Sequence, residues 1–463
     1  MFRSIANTFA NCFKIPELKS RILFTLGLLA VVRLISWIRI PGLNGDALTT
    51  YFSSHAQSGG GLLGMYNTFA GGALEHCAIG SLGIMPYISA TIIIQLLTAV
   101  IPRLSKLARE EGGRTKIIQF GRYMTVLLCI GQGLFFAIGW ENPAKAFPGF
   151  QGQLVLDTDH IWWYRTYTVL IMTVGTMLLM WLGEQITERG IGNGISLVIT
   201  VGIVARLPHA MTGLHDMFFP GAGIQSQYNI GHAVALVLLL VGVVAGVIAV
   251  TQAQRKIPVQ YAQRAVGRKM YAGGTSFMPL KVNYAGVMPI IFAQSILMFP
   301  QQIFLGLGNH LGIPFLQEFF SATARALDYG SVLYLTIYSL MILFFSYFWV
   351  ATQFNELQIA DDLKKNGGYI PGVRPGQGTS DYLHKAMSRI TLAGAIFLTV
   401  IATIPIILSK EMGIPPDVSN FFGGTSILIA VGVLLDTMRQ VESHLMMRHY
   451  DGFLKKGRLR GRF

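Results

Sequence analysis

Charge is what this chain has least of. Only 13% of its 463 residues are charged, about half of the ~25% carried by an ordinary soluble domain. Cysteine is scarcer still, with Cys12, Cys77 and Cys129 the whole supply. Three cysteines without paired spacing give neither a disulfide framework nor a zinc cluster. His444 and His449 stand five apart with no acidic partner placed to complete a metal site, so they read as surface histidines. A Gly-x-x-x-x-Gly-Lys-Ser/Thr phosphate loop is missing, and with it a nucleotide-driven engine of the chain's own. Gly190-Ile191-Gly192-Asn193-Gly194 has the glycines of such a loop, but no strand precedes it; it reads as a tight turn. Acidic and histidine residues form no series inside the apolar runs, which argues against an ion-coupled secondary transporter. Nor do those runs hold a nucleophile–base pair or a metal cluster, which argues against an intramembrane enzyme. No cofactor is expected.

What the chain has is apolar length. Hydrophobic residues make up 52% of it, and a hydrocarbon core takes about 20 apolar residues per helical crossing. Stretches such as 123–140 and 232–251 run that far without a charge. Ten such runs begin near Ile22, Leu82, Gln119, Tyr164, Gly194, His232, Asn283, Tyr329, Ile390 and Phe421. Backbone groups in lipid must pair internally, so the expectation is an all-α integral membrane protein with ten transmembrane helices. The first run holds Arg33 and Arg39 and lacks a small-residue cleavage site, so it reads as a retained span.

The basic residues orient these spans. Net charge is +14, and 29 of the 36 lysines and arginines fall in the two tails and in alternate loops. The opposite side keeps only Lys145, Arg165, Arg206, Arg325 and Lys410. By the positive-inside rule both termini and the large loops 253–282 and 353–389 are cytoplasmic.

Ten spans divide into two halves of five, and an odd number per half inverts the second relative to the first. The sequence carries that repeat. Gly83-Ile84-Met85-Pro86-Tyr87-Ile88-Ser89-Ala90 in span two matches Gly286-Val287-Met288-Pro289-Ile290-Ile291-Phe292-Ala293 in span seven. Ser196-Leu197-Val198-Ile199-Thr200-Val201-Gly202-Ile203 in span five matches Ser426-Ile427-Leu428-Ile429-Ala430-Val431-Gly432-Val433 in span ten. The matches align Ile88 with Ile291 and Ile199 with Ile429, while Ile84 and Ile195 lie one helical turn before Ile88 and Ile199. Two readings of these six stand. They encircle a common axis as an apolar ring that excludes water and ions, or they are ordinary lipid-facing isoleucines. Between spans one and two, the stretch from Gly59 to His76 is too polar and glycine-rich to cross lipid and too apolar for a plain loop. It either folds back to line a cavity or packs as an ordinary loop.

Longer motifs carry a resemblance. Phe69-Ala70-Gly71-Gly72-Ala73-Leu74, the span-two run from Gly83, Trp181-Leu182-Gly183-Glu184-Gln185, Pro279-Leu280-Lys281-Val282-Asn283, Ile370-Pro371-Gly372-Val373-Arg374-Pro375-Gly376 and Phe422-Gly423-Gly424-Thr425-Ser426 resemble the SecY family, in order and with similar spacing. The resemblance implies two inverted five-helix halves, 1–225 and 226–463, around a central hourglass pore in the cytoplasmic (inner) membrane. It implies passage of unfolded secretory polypeptides and release of transmembrane segments into lipid through a lateral gate. It also implies a constriction ring at Ile84, Ile88, Ile195, Ile199, Ile291 and Ile429, and a plug over 62–80 that includes Met65, Phe69, Gly71, Gly72 and Leu74. The gate would include Ser89, Gln95, Gln132, Asn283 and Phe299, polar groups at a seam holding it shut by hydrogen bonds that a signal sequence displaces. Docking of a SecA-like motor ATPase or the ribosome would use Arg255, Lys256, Arg264, Arg268, Lys269 and Arg374. SecE-like and SecG-like small membrane subunits and membrane lipids complete the implied partners. One departure stands out: Asn355-Glu356 occupies the place where related chains often have Asn-Pro.

Overall fold

Many of the helices in this chain start where the sequence supplies a proline or a cap. The structure is a computed structural model that describes residues 15–456 except 55–60, 111, 144–149, 151, 157–159, 220–227, 262–263, 267–268, 272–273, 311–313, 413, 415–417, 419–420 and 422–424. Helix α1, Pro16–Ile35, opens on a proline whose missing N–H is not needed there. Short helices α2, Gly45–Ser54, and α3, Gly61–Phe69, follow, and a run of turns leads into α4, Met85–Val100. Pro102 holds Ile101 extended and ends α4, and α5, Pro102–Arg109, leaves at 105°. Next come α6, Gly113–Glu141, and α7, Ile161–Arg189. Helix α8, Gly194–Ala205, is capped by the Asn193 side chain, which accepts from the N–H groups of Ile195 and Ser196 at 3.1 and 3.3 Å. Helices α9, Leu207–Phe218, and α10, Ile230–Gln252, complete the first two-thirds of the helical order. After the strands described below come α11, Met288–His310, α12, Pro314–Ala326, and α13, Val332–Gln353. The order ends with α14, Glu356–Lys365, α15, Gln377–Met412, and α16, Thr425–Lys456.

A helix lies at each of the ten apolar runs. Among the described residues, Thr115–Glu141, Ile161–Arg189, Gly194–Phe218, Gly231–Gln252, Val332–Lys365 and Gln377–Ile407 are long and apolar enough to cross a membrane. The bent pair α4–α5 makes a seventh if it is one span. These helices turn large apolar side chains outward, among them Leu127, Leu170, Leu238, Leu340, Phe344 and Val400. Water would penalise such a surface, whereas lipid does not.

The repeat has a structural counterpart. Gly83 and Gly286, equivalent in the matched segments, both take left-handed φ values, +58° and +62°, and each stands two residues ahead of a helix whose second residue is proline. The second match pairs α8 with α16, and these two helices pack on each other, as α4 packs on α11.

The all-α expectation needs correcting outside the spans. Strand β1, Gln254–Tyr261, carries a β2–β3 hairpin (Arg264–Val266 and Lys269–Tyr271) beyond its end and pairs antiparallel with β4, Thr275–Lys281. Strand β5, Gly368–Tyr369, pairs with the other edge of β1, so the sheet order is β4-β1-β5. Water can satisfy open sheet edges here, as lipid could not. Ile257 and Val259 alternate inward and pack with Leu280, Ile370, Leu383 and Met387 in a second core. The two large loops are therefore one body.

Candidate functional site: an apolar constriction with a docked segment

Four helices carry the six isoleucines into one apolar core. Ile84 caps α4 and Ile88 sits on its first turn, Ile195 and Ile199 lie on α8, Ile291 on α11 and Ile429 on α16. Ile84, Ile88, Ile199, Ile291 and Ile429 are buried, each at 5% exposure or less, and Ile195 packs partly buried against the same cluster. Lipid-facing isoleucines would be exposed, as Ile130 and Ile396 are. That cluster draws from both halves of the chain, so the apolar contact is shared between repeat-related helices.

The stretch between spans one and two is packed. Phe69 and Leu74 are buried in the same cluster. Gly71 lies against Gly202 of α8 so closely that a Cβ built on it would stand 3.0 Å from the Gly202 Cα, a backbone approach only glycine permits. Arg33, whose partner the sequence could not name, donates from Nη1 to the Gly71 carbonyl at 2.8 Å. The Met65 side chain lies outside the described set. Beneath the segment, Val32, Phe69, Ile84 and Val198 line a cavity of about 20 Å³, room for one water.

The gate residues differ from expectation in their bonding. Ser89 Oγ, Gln95 Oε1 and both amide atoms of Gln132 are buried without a hydrogen-bond partner among the described residues. Asn283 donates to the Gly286 carbonyl at 2.9 Å, which fixes the turn before α11 and does not cross to the other half. The Phe299 side chain lies outside the described set. Two polar contacts at these helices escaped the sequence reading. Ser295 Oγ on α11 lies 3.8 Å from Met85 Sδ on α4, and Gln294 donates to Thr425 Oγ1 at 2.8 Å. Gln294 and Ser295 sit one and two residues past the matched segment that ends at Ala293, the only signal that marked them.

In the body formed by the two large loops, Arg255 and Lys256 are exposed on β1. Arg264 and Lys269 lie on the β2–β3 hairpin with side chains outside the described set, and Arg268 lies outside it altogether. Arg374 is exposed on a turn whose carbonyl accepts from Thr379 Oγ1 at 3.1 Å. The Asn355-Glu356 departure is also accounted for: Asn355 Oδ1 caps α14 by accepting from Gln358 N–H at 3.2 Å, and Glu356 meets His384 Nδ1 on α15 at 2.9 Å. Cys77 and Cys129 are buried free thiols, and Cys12 lies outside the described residues.

The SecY family model matches residues 78–438 of the chain. The protein translocase subunit SecY of Chlamydia trachomatis is 42% identical over 460 residues, covering 98% of this chain and 99% of that one. The chain belongs to the SecY family. Its counterpart from Escherichia coli K12 is 44% identical over 451 residues, with 96% of each chain covered. Among solved structures, a protein-conducting channel aligns with a TM-score of 0.60 at 19% identity, covering 97% of this chain and 99% of that one. A SecY structure described by the role of its plug domain in stabilising the closed channel and sealing the membrane aligns at 0.59 and 19%, with the same coverage. Sec61 in the canine ribosome-channel complex aligns at 0.56 and 18%, again over 97% and 99%. These likenesses show that the SecY fold extends over nearly the whole chain.

Proposed function

We infer that the chain is the central, pore-forming subunit of a Sec-type protein-conducting channel, a translocase component and not an enzyme. The observation that carries this reading is that isoleucines from four helices, two in each half, share one apolar core, with Ile84, Ile88, Ile199, Ile291 and Ile429 buried in it and Ile195 packed against it. Branched apolar side chains offer no hydrogen bonds to a sliding backbone and leave water no stable site, so they close around a passing chain without gripping it. In this reading ten helices cross the cytoplasmic membrane as two inverted halves, 1–225 and 226–463, around an hourglass pore, with both termini cytoplasmic. Residues 62–80 are the plug. The seam of α4 and α6 against α11 and α13 is the lateral gate, and its poorly bonded polar groups favour a joint that opens toward lipid for signal sequences and transmembrane segments.

The shared β1–β4–β5 and α14–α15 body presents Arg255, Lys256 and Arg374 to a SecA-like motor or to the ribosome, and small SecE-like and SecG-like subunits cover part of the lipid-facing surface. Single-channel current across planar bilayers tests the ring. The double change Ile88→Ser with Ile291→Ser should wet the constriction and conduct ions without a client; a folded double variant as tight as the parent refutes the assignment. Docking has its own test. Arg374→Glu should abolish motor-driven translocation while the channel stays assembled, and unchanged motor binding and transport in that variant would remove Arg374 from the contact.

A further inference from the structure

Residues 62–80 contain a single carboxylate, Glu75, and the structure surrounds it with fixed donors. Arg206, at the junction of α8 and α9, places Nη2 3.3 Å from Glu75 Oε2, and both side chains are largely buried, at 12% and 19% exposure. Asn67, fully buried on α3, donates from Nδ2 to the same oxygen at 2.7 Å and accepts the Glu75 N–H at 3.2 Å. Thr49 Oγ1 donates to the Glu75 carbonyl at 3.1 Å, and His76 Nε2 stands 3.8 Å from Oε1. Arg33 holds the neighbouring Gly71 carbonyl from α1. Asn67 lies within 62–80 and orders the segment internally, whereas Arg33, Thr49 and Arg206 lie outside it and before residue 226, so their contacts tie the segment to the first half of the chain. An isolated charge with this little solvent would be costly, and a paired one is costly to separate.

We propose that Glu75 is a charged clasp that sets the closed position of this segment, with Arg206 as its main partner and Asn67 as the residue that aims it. The proposal rests on reading 62–80 as a plug. Apolar packing of Phe69 and Leu74 supplies affinity but little register, since one branched contact substitutes for another. A carboxylate held by one guanidinium and one amide has a single seat. Displacing the segment parts Glu75 from Arg206 while Asn67 travels with it, and leaves the largely buried Arg206 guanidinium without its carboxylate, so release is all-or-none rather than gradual.

Planar-bilayer conductance of the intact channel without client separates the possibilities. Glu75→Gln and Arg206→Gln, one change on the segment and one off it, should each raise resting conductance about tenfold or more, the equilibrium equivalent of one charge-assisted hydrogen bond. Glu75→Arg combined with Arg206→Glu should return conductance toward the parent. Deletion of 62–80 should leak at least as strongly as either single change. If both single variants fold and remain as tight as the parent while the deletion leaks, the clasp is wrong and the plug stands. If the exchanged pair leaks as much as Glu75→Gln, charge pairing is not what seats the segment. A deletion as tight as the parent overturns the plug reading beneath the proposal.

Discussion

Where α8 meets α16, the Gly192 N–H that precedes α8 donates to the Gln440 side-chain oxygen at 2.9 Å, and the Thr437 side chain lies in van der Waals range of the same glycine. Where α4 meets α11, the side-chain contact from one half to the other is a hydroxyl 3.8 Å from a thioether sulfur, and Ser89 and Gln95 on α4 bury oxygens without partners among the described residues. Both seams join repeat-related helices and both are lined by buried isoleucine. They differ in what their polar groups do. A seam pinned by a hydrogen bond to a rigid backbone turn resists separation. One held by apolar contact, with unpaired polar atoms beside it, gives up little when it parts, because water or an incoming polar group then satisfies those atoms. Under the proposed channel reading, α8–α16 is then the hinge and α4–α11 the mouth.

Three changes break or sharpen that contrast. The largest effect is expected at Gly192, whose φ is +90° and where a Cβ would stand 2.9 Å from Leu197 Cδ1 and 3.1 Å from Thr437 Oγ1. Gly192→Val combines backbone strain with a clash and should cost about 3 kcal/mol or more, read as a lower melting temperature of the detergent-solubilised channel. Gln440→Ala should cost about 1–2 kcal/mol by leaving the Gly192 N–H unpaired. At the other seam the sign should reverse. Ser89→Ala removes a buried hydroxyl that lacks a partner and leaves almost no cavity, so it should stabilise the closed protein by about 0.5–1 kcal/mol and slow gate opening in a translocation assay. If Ser89→Ala destabilised the channel as much as Gln440→Ala does, the two seams would be equally bonded and the hinge-and-mouth distinction would fall.

Much of the membrane region was legible in the sequence because lipid permits so few solutions. An apolar run of the right length has to be a helix, so a helix stands at each of the ten runs. The matched Gly-x-Met-Pro segments fold alike, each with a left-handed glycine just ahead of a helix, since the local conformation depends on residues a few positions apart. Ile88 and Ile291 could be aligned for the same reason. The two large loops were not legible in this way. Their short strands pair β1 with β5 across more than a hundred residues, and the alternation of Ile257 and Val259 is too brief to announce a sheet. Glu356 looked like a departure from the related pattern until α15 placed His384 beside it.

The sequence alone therefore marked the membrane-spanning character, the internal match and the isoleucines that the structure buries, because each follows from local composition or from an internal repeat. Tertiary structure decided which polar groups are satisfied and by whom. Arg206 reaches Glu75 from 131 residues away, Gln440 reaches Gly192 from 248, and Ser295 approaches Met85 from 210. No periodicity encodes such pairs, since a hydrogen bond depends on where two helices cross in space and not on the spacing of residues along either one.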